Sequence, residues 1–245
     1  MMIKTPKIAG CVLVFTLLLG ACGKDSRCGK STGEIQTFTR ELPAFDSLYI
    51  EDKIDIELKP STVNRATITC GKNLVDYIMT QSNGHELIIR NDNLCNFLRS
   101  YKKPIKIVLE YTSLWKINLR GGGKINSTDT IKQPYLEVDG KICSGDFDLL
   151  LNTDSVRFTM HTGNSNVTLK GHTNRAYFYS GGTTILDASQ LHSDYCFATN
   201  SGSGDFDVVA ANYLYAYIGD LGYIYYTGNP HVDQKIKGTG EIIQK

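Results

Sequence analysis

The chain has 245 residues, 41% hydrophobic and 10% aromatic, enough for one sizeable domain with its own core. Its 26 basic and 25 acidic residues leave a formal charge of +1 with no block of like sign. That excludes a general nucleic-acid binder, because neutralising phosphates demands a clustered basic face.

Residues 1–21 have the form of a secretory signal: Lys4 and Lys7 make a positive start, and Ile8 to Leu19 is apolar but short for a bilayer span. Leu19-Gly20-Ala21-Cys22 resembles the lipobox of bacterial lipoproteins, which implies cleavage before Cys22 and acylation of that cysteine. Two or three acyl chains anchor stably where one is marginal. Without residues 1–21, 24 basic and 25 acidic residues remain, a net charge of −1. Gly23-Lys24-Asp25-Ser26 resembles the short surface-export signals of Bacteroidetes lipoproteins.

Residues 22–44 are polar and lack apolar periodicity as far as about Thr39, the pattern of a lipidated tether reaching roughly 20–25 Å. The domain is expected over 45–245. Leu48, Ile50, Ile54, Ile56 and Leu58 alternate with charged residues as a half-buried strand pair, and Ala66 to Cys70 continues after the Pro60-Ser61 turn. Asn73 to Met79 suits one or two helical turns capped by Asn73. Asn83-Gly84 marks a turn before the Leu87 to Ile89 strand. Asn91 to Lys103 is an excursion, after which Ile105, Ile107 and Leu109 alternate again.

From Leu114 to Pro230 one phrase recurs, glycine or a small polar residue followed by a β-forming apolar residue. Its apolar members Ile125, Phe147, Val167, Ile185, Phe206 and Ile224 lie 22, 20, 18, 21 and 18 positions apart. A period near twenty is the mark of a solenoid, each repeat being one coil. Ahead of each phrase runs a second alternation, such as Val156, Phe158 and Met160, so a coil is strand, glycine corner, strand and return loop. Six coils at roughly 4.8 Å each give a rod of about 29 Å. The reading is all-β, a β-helix-like solenoid of about 20-residue coils, with a β-sandwich or barrel as the alternative. Val232, Ile236 and Gly238 to Ile242 supply a last strand that closes the rod end.

Phe45 to Ile50, the repeated Ser-Gly-Asp-Phe-Asp at 144–148 and 203–207, the stretch Gly222 to Pro230 and the ending Gly238 to Ile242 resemble the "putative auto-transporter adhesin, head GIN domain" family. The resemblance spans about residues 45–243. It implies a β-solenoid on a secreted or surface lipoprotein, chiefly of Bacteroidetes, and no catalytic residues.

The residues offer few signs of chemistry. Asp146 with Asp148, and Asp205 with Asp207, stand about 6.6 Å apart along a strand, a spacing a glycosidase could use, although corner residues solvating a glycine turn explain them more simply. The histidines at 85, 161, 172, 192 and 231 show no metal spacing, and His172 and His192 could at most stack on adjacent coils. Five cysteines remain after Cys22: Cys28 is unassigned, Cys70 and Cys95 are the pair to test, and Cys143 and Cys196 suit small core positions. No cofactor is indicated. Tyr177, Tyr179, Tyr195, Tyr213, Tyr215, Tyr217, Tyr223, Tyr225 and Tyr226 crowd the last coils. Tyr177, Tyr179, Tyr213, Tyr215, Tyr217, Tyr223 and Tyr225 form the candidate binding surface, for a glycan or a protein, or else a ladder that stabilises neighbouring strands. A non-catalytic binding module of the cell envelope heads the functional readings, ahead of a structural spacer and a carbohydrate-active enzyme. The expected location is the outer membrane, on its surface or periplasmic face, with the membrane reached through Cys22.

The anchor is directly testable: Cys22→Ser should move the protein from the membrane fraction to the soluble fraction on cell fractionation. Undiminished membrane association would refute lipidation at Cys22.

Overall fold

An alternating strand with no hairpin partner must find its neighbour elsewhere, and here the same alternation returns about twenty residues later. The computed structural model describes residues 31–94, 96 and 105–245. The signal segment, Cys22, the 23–26 motif, Cys28, Cys95 and most of the 91–103 excursion lie outside the described residues. Within them the chain is a β-solenoid of about six turns.

The strands are β1 (Ile35–Glu41), β2 (Ser47–Lys53), β3 (Asp55–Pro60), β4 (Arg65–Gly71), β5 (Ile78–Ser82), β6 (Glu86–Asn91), β7 (Lys106–Tyr111), β8 (Lys116–Ser127), β9 (Ile131–Thr162), β10 (Asn166–Ser180), β11 (Ile185–Asn200), β12 (Phe206–Val209), β13 (Tyr213–Ile218), β14 (Ile224–Thr227), β15 (His231–Ile236) and β16 (Ile242–Gln244). They form two walls. Wall one runs β1-β4-β7-β3-β8-β9-β10-β11-β12-β14-β16, and wall two runs β5-β6-β2-β8-β9-β10-β11-β13-β15. Strands β8 to β11 belong to both because they bend at the rod's edges. From β3 onward neighbours in wall one are parallel, while β1, β4 and β7 pair antiparallel at the N-terminal end.

In-register stacking puts like residues in columns. In wall one Ile56, Ile125, Phe147, Val167, Leu186, Phe206, Ile224 and Ile242 follow one another coil by coil. All but Ile242, which is half-buried, are fully buried, so one continuous interior runs the length of the rod. In wall two Val156, Ala176, Cys196 and Leu214 do the same.

The expected return loops are absent from the middle coils. Strand β9 runs 32 residues without interruption, because the bend is satisfied from inside. Thr153 Oγ1 donates to Thr173 Oγ1 at 3.0 Å, and Ser193, in register with Thr173, bonds the Val209 carbonyl. Inward hydroxyls thus take the bonds a loop would have given to water.

At the opposite edge the backbones nearly touch. A Cβ added to Gly202 would stand 1.9 Å from Gly182 O, one on Gly222 2.2 Å from Gly204 O, and one on Gly240 2.2 Å from Gly222 O. Gly163 adds a φ of 107° and a gap of 1.9 Å to Cys143 O, so it is required twice over. The buried Asn200 ties this corner, its Nδ2 donating to Gly204 O at 2.7 Å and its Oδ1 accepting from Gly202 N at 3.2 Å.

Four further expectations need correction. Ile185 points outward at 53% exposure, and Leu186 takes the core position, in register with Val167 and Phe206. A β-bulge, where Thr168 and Lys170 face Asp187 and Gln190, lets β11 carry one extra residue, and a one-residue slip exchanges faces. Residues 35–41 are not tether but strand β1, paired with β4 and anchored by Phe38 against the core. Asn73 caps nothing; its Nδ2 donates to Ser31 O at 3.0 Å, and the helical turn is a three-residue 3-10 turn, Val75–Tyr77. The last two strands, β15 and β16, do not cover the rod end. Each pairs on one side only, and Ile236 is 46% exposed.

The slip has a measurable consequence. Leu186→Ala should cost about 2–5 kcal/mol in chemical denaturation, Phe206→Ala about 3–5 kcal/mol, and Ile185→Ala no more than about 0.5 kcal/mol. Equal losses at 185 and 186 would contradict this register.

Candidate functional site: the aromatic outer face of wall two

Outward positions repeat in columns as the inward ones do. Three columns cover the outer face of wall two: Ser155, Arg175, Tyr195, Tyr213 and His231; Arg157, Tyr177, Phe197, Tyr215 and Asp233; and Thr159, Tyr179, Thr199, Tyr217 and Lys235. Five of the seven candidate tyrosines are therefore neighbours. Tyr223 and Tyr225 are not among them, for Tyr225 stands on β14 of wall one and Tyr223 immediately precedes that strand, so the expected single surface is two. Tyr226, also from that cluster, is half-buried and packs on the core.

The middle column is a stack. The Arg157 guanidinium sits 5.1 Å from the Tyr177 ring centre, and Tyr177 and Phe197 lie 4.7 Å apart at 9°. Phe197 passes the contact diagonally to Tyr213 at 5.8 Å, and Tyr213 to His231 at 6.0 Å. Rings stacked along the rod spend their faces on each other and show solvent only their edges. That geometry strengthens the sheet through cross-strand contact.

The third column differs because threonine alternates with tyrosine. Tyr179 has Thr159 and Thr199 on its two sides, so no ring of its own column stacks on its faces. It reaches along its strand over Gly181, its hydroxyl 3.1 Å from where a Cβ would stand, and Tyr217 covers Gly219 likewise. An aromatic leaning over a glycine seals the gap that the missing side chain leaves. Around Tyr179 lies a shallow depression of about 370 Å³, bounded by Thr159, Thr199, Arg157, His161 and the edges of Tyr177 and Phe197.

Charged groups on the preceding coils pair with one another. Lys116 Nζ stands 2.7 Å from Glu137 Oε1, and Tyr135 donates to Glu137 Oε2 at 2.7 Å. Burial alone would raise the Glu137 carboxyl, but the bonds from Lys116 and Tyr135, with Arg157 nearby, hold it below the ordinary carboxylate value. His161 Nε2 lies 3.0 Å from Asp139 Oδ1, at ion-pair distance, although its N–H is not aligned on that oxygen. The His161 ring is 5.9 Å from that of Tyr179.

The acidic pairs are occupied elsewhere. Asp146 Oδ1 accepts from Asn166 N and Nδ2 at 3.2 and 2.9 Å, Asp148 pairs with Lys170 at 3.0 Å, Asp205 Oδ1 accepts from Tyr223 N at 2.9 Å, and Asp207 pairs with Lys245. Each carboxylate bridges to another coil, which is a stacking role. His172 and His192 are register partners on adjacent coils, both exposed. Cys143 and Cys196 are buried thiols, and burial pushes Cys196 up to about 12. Cys70 is likewise a buried thiol, its expected partner Cys95 being outside the described residues.

Sequence reasoning missed Arg157, Thr159, His161 and Thr199. The available signal was position rather than residue type, since 159, 179 and 199 share one column at a spacing of twenty.

A parallel solenoid with a stacked aromatic wall belongs to the class of rigid β-rods that offer a broad lateral face. Residues 44–230 match the family model described as "putative auto-transporter adhesin, head GIN domain". The chain belongs to that family. Its fold is also that of solved structures: a "putative adhesin" of Bacteroides fragilis, 21% identical, covering 86% of this chain and 97% of that one with a TM-score of 0.80; and a "putative lipid binding protein" of Parabacteroides distasonis, 20% identical, covering 88% and 98% with a TM-score of 0.70. A "putative adhesin" of Parabacteroides merdae is similar at 16% identity, 88% and 98% coverage and a TM-score of 0.61. No curated protein matches the sequence.

Stack and depression predict opposite behaviour for neighbouring aromatics. Phe197→Ala should lower stability by about 1–2 kcal/mol in thermal or urea unfolding, whereas Tyr179→Ala should cost no more than about 0.5–1 kcal/mol. Equal losses would contradict the division between them.

Proposed function

We propose that this protein is a non-catalytic, adhesin-like binding module of the cell envelope, held to the outer membrane through lipid on Cys22 and binding a glycan or protein ligand along the outer face of wall two. One observation carries the reading: that face presents a rigid array of aromatic and polar side chains across several coils, with Tyr179 and Tyr195 more than a third exposed. Tyrosine suits such a surface because it adds an apolar face and a polar tip at small entropic cost. The family and the adhesin descriptions of its structural neighbours support a surface role. The description of the Parabacteroides distasonis neighbour as a lipid binding protein adds lipid headgroups to the ligands to be tried.

A structural spacer is the second reading, favoured by the Arg157-Tyr177-Phe197 stack, whose ring faces are used internally. The two separate on one experiment. Intact cells should be labelled by antibody to the chain, and the full chain should bind at least one member of a panel of glycans, extracellular matrix proteins and anionic lipid vesicles. Surface labelling with no binding to any class would favour the spacer.

A further inference from the structure

We propose that the depression around Tyr179 is a subsite for one neutral sugar ring of a glycan, stacked on Tyr179 and hydrogen-bonded at its rim by Thr159, Thr199, His161 and Arg157. This deepens the binding-module reading and rests on it. Tyr179 is 37% exposed and flanked by threonines on both sides, so its ring faces are not claimed by the stack that covers Tyr177. A pyranose matches this composition: its C–H face lies on an aromatic ring, while its hydroxyls radiate in the ring plane and need donors and acceptors around the edge. Thr159 and Thr199 supply hydroxyls that act as either, Arg157 supplies donors, and His161, placed beside Asp139, supplies a ring nitrogen. An aliphatic or flat aromatic ligand would instead strip those polar groups of water without replacing the bonds.

Size and charge narrow the class. About 370 Å³ lies at the small end of ligand sites and holds a ring or two, whereas a stable protein interface covers on the order of 1,000 Å² or more. Arg157 already faces Glu137 and Tyr135, and His161 faces Asp139. A uronic acid would bring a further negative charge beside Arg157, which Glu137 already faces, and close to the carboxylate of Asp139, so the site favours a neutral hexose or N-acetylhexosamine. The column offers a second place of similar kind: Tyr217 follows Thr199 two coils beyond Tyr179, about 9.6 Å along the axis, so alternate sugars of one oligosaccharide could rest on the two rings.

The test titrates the full chain with neutral hexose and N-acetylhexosamine oligosaccharides and, in parallel, with oligogalacturonates, by calorimetry. Tyr179→Ala removes the platform. Thr199→Tyr fills the depression while extending an aromatic column, so it keeps the fold even if the first variant is weakened. Neutral oligosaccharides should bind, both variants should weaken that binding at least ten-fold per folded molecule, and Tyr225→Ala on wall one should leave it unchanged. Neutral binding that survives both substitutions, or binding of the uronates alone, would overturn the assignment and leave the module reading standing. Absence of binding to every sugar overturns it as well; the module reading falls with it only if the proteins and vesicles of the panel also fail to bind.

Discussion

Close contact between backbones at the glycine corner is the constraint on which the rest of the structure depends. Gly202 stands where Gly182 O leaves no room for a Cβ, and Gly222 and Gly240 repeat the arrangement further along. With no side chain at the corner, successive coils settle directly on one another and their strands stay in register. Only then do Phe147, Val167, Leu186 and Phe206 fall in one buried column, each coil covering the apolar face of the last. A single coil could not bury that face alone.

The same register arranges the exterior. Outward side chains repeat at the coil spacing, so what a column does depends on whether its members alternate in size. Arg157, Tyr177 and Phe197 are all large and flat, and they stack on one another. Thr159, Tyr179, Thr199 and Tyr217 alternate small with large, so their column holds gaps between rings. One rod face therefore carries both a stabilising ladder and a column with open gaps, separated by a single step across the sheet. The acidic pairs on wall one follow the first pattern in polar form, with Asp146, Asp148 and Asp205 each bonded to the coil that follows.

Much of this was legible from spacing. A period near twenty, inward alternation, small buried cysteines and the corner glycines all follow from residue types that the environment forces. The misplaced core residue has a plain cause, which is that period alone cannot tell which of two adjacent residues faces inward. Ile185 looked like the core member because it is apolar and follows two threonines, yet intervals of 18 and 21 became 19 and 20 once Leu186 took its place. β1 escaped notice because an edge strand needs little more than one apolar anchor, Phe38, and its remaining residues may be polar without cost. The tyrosines were grouped by proximity in sequence, whereas a corner between Ile218 and Ile224 carries Tyr223 and Tyr225 to the other wall. The depression had no signature of residue type, since threonine in a strand is ordinary. It exists only through what stands one coil above and below.

The account makes wall two a face on which one column stabilises and the next one binds, and its central claim is spatial. Amide and methyl NMR spectra of the chain, recorded during titration with a neutral oligosaccharide, test it most directly. Shifts concentrated at Thr159, Tyr179, Thr199 and His161, with Tyr223 and Tyr225 unmoved, are the result the structure predicts. Shifts centred on wall one, or on the open end formed by β15 and β16, would contradict it.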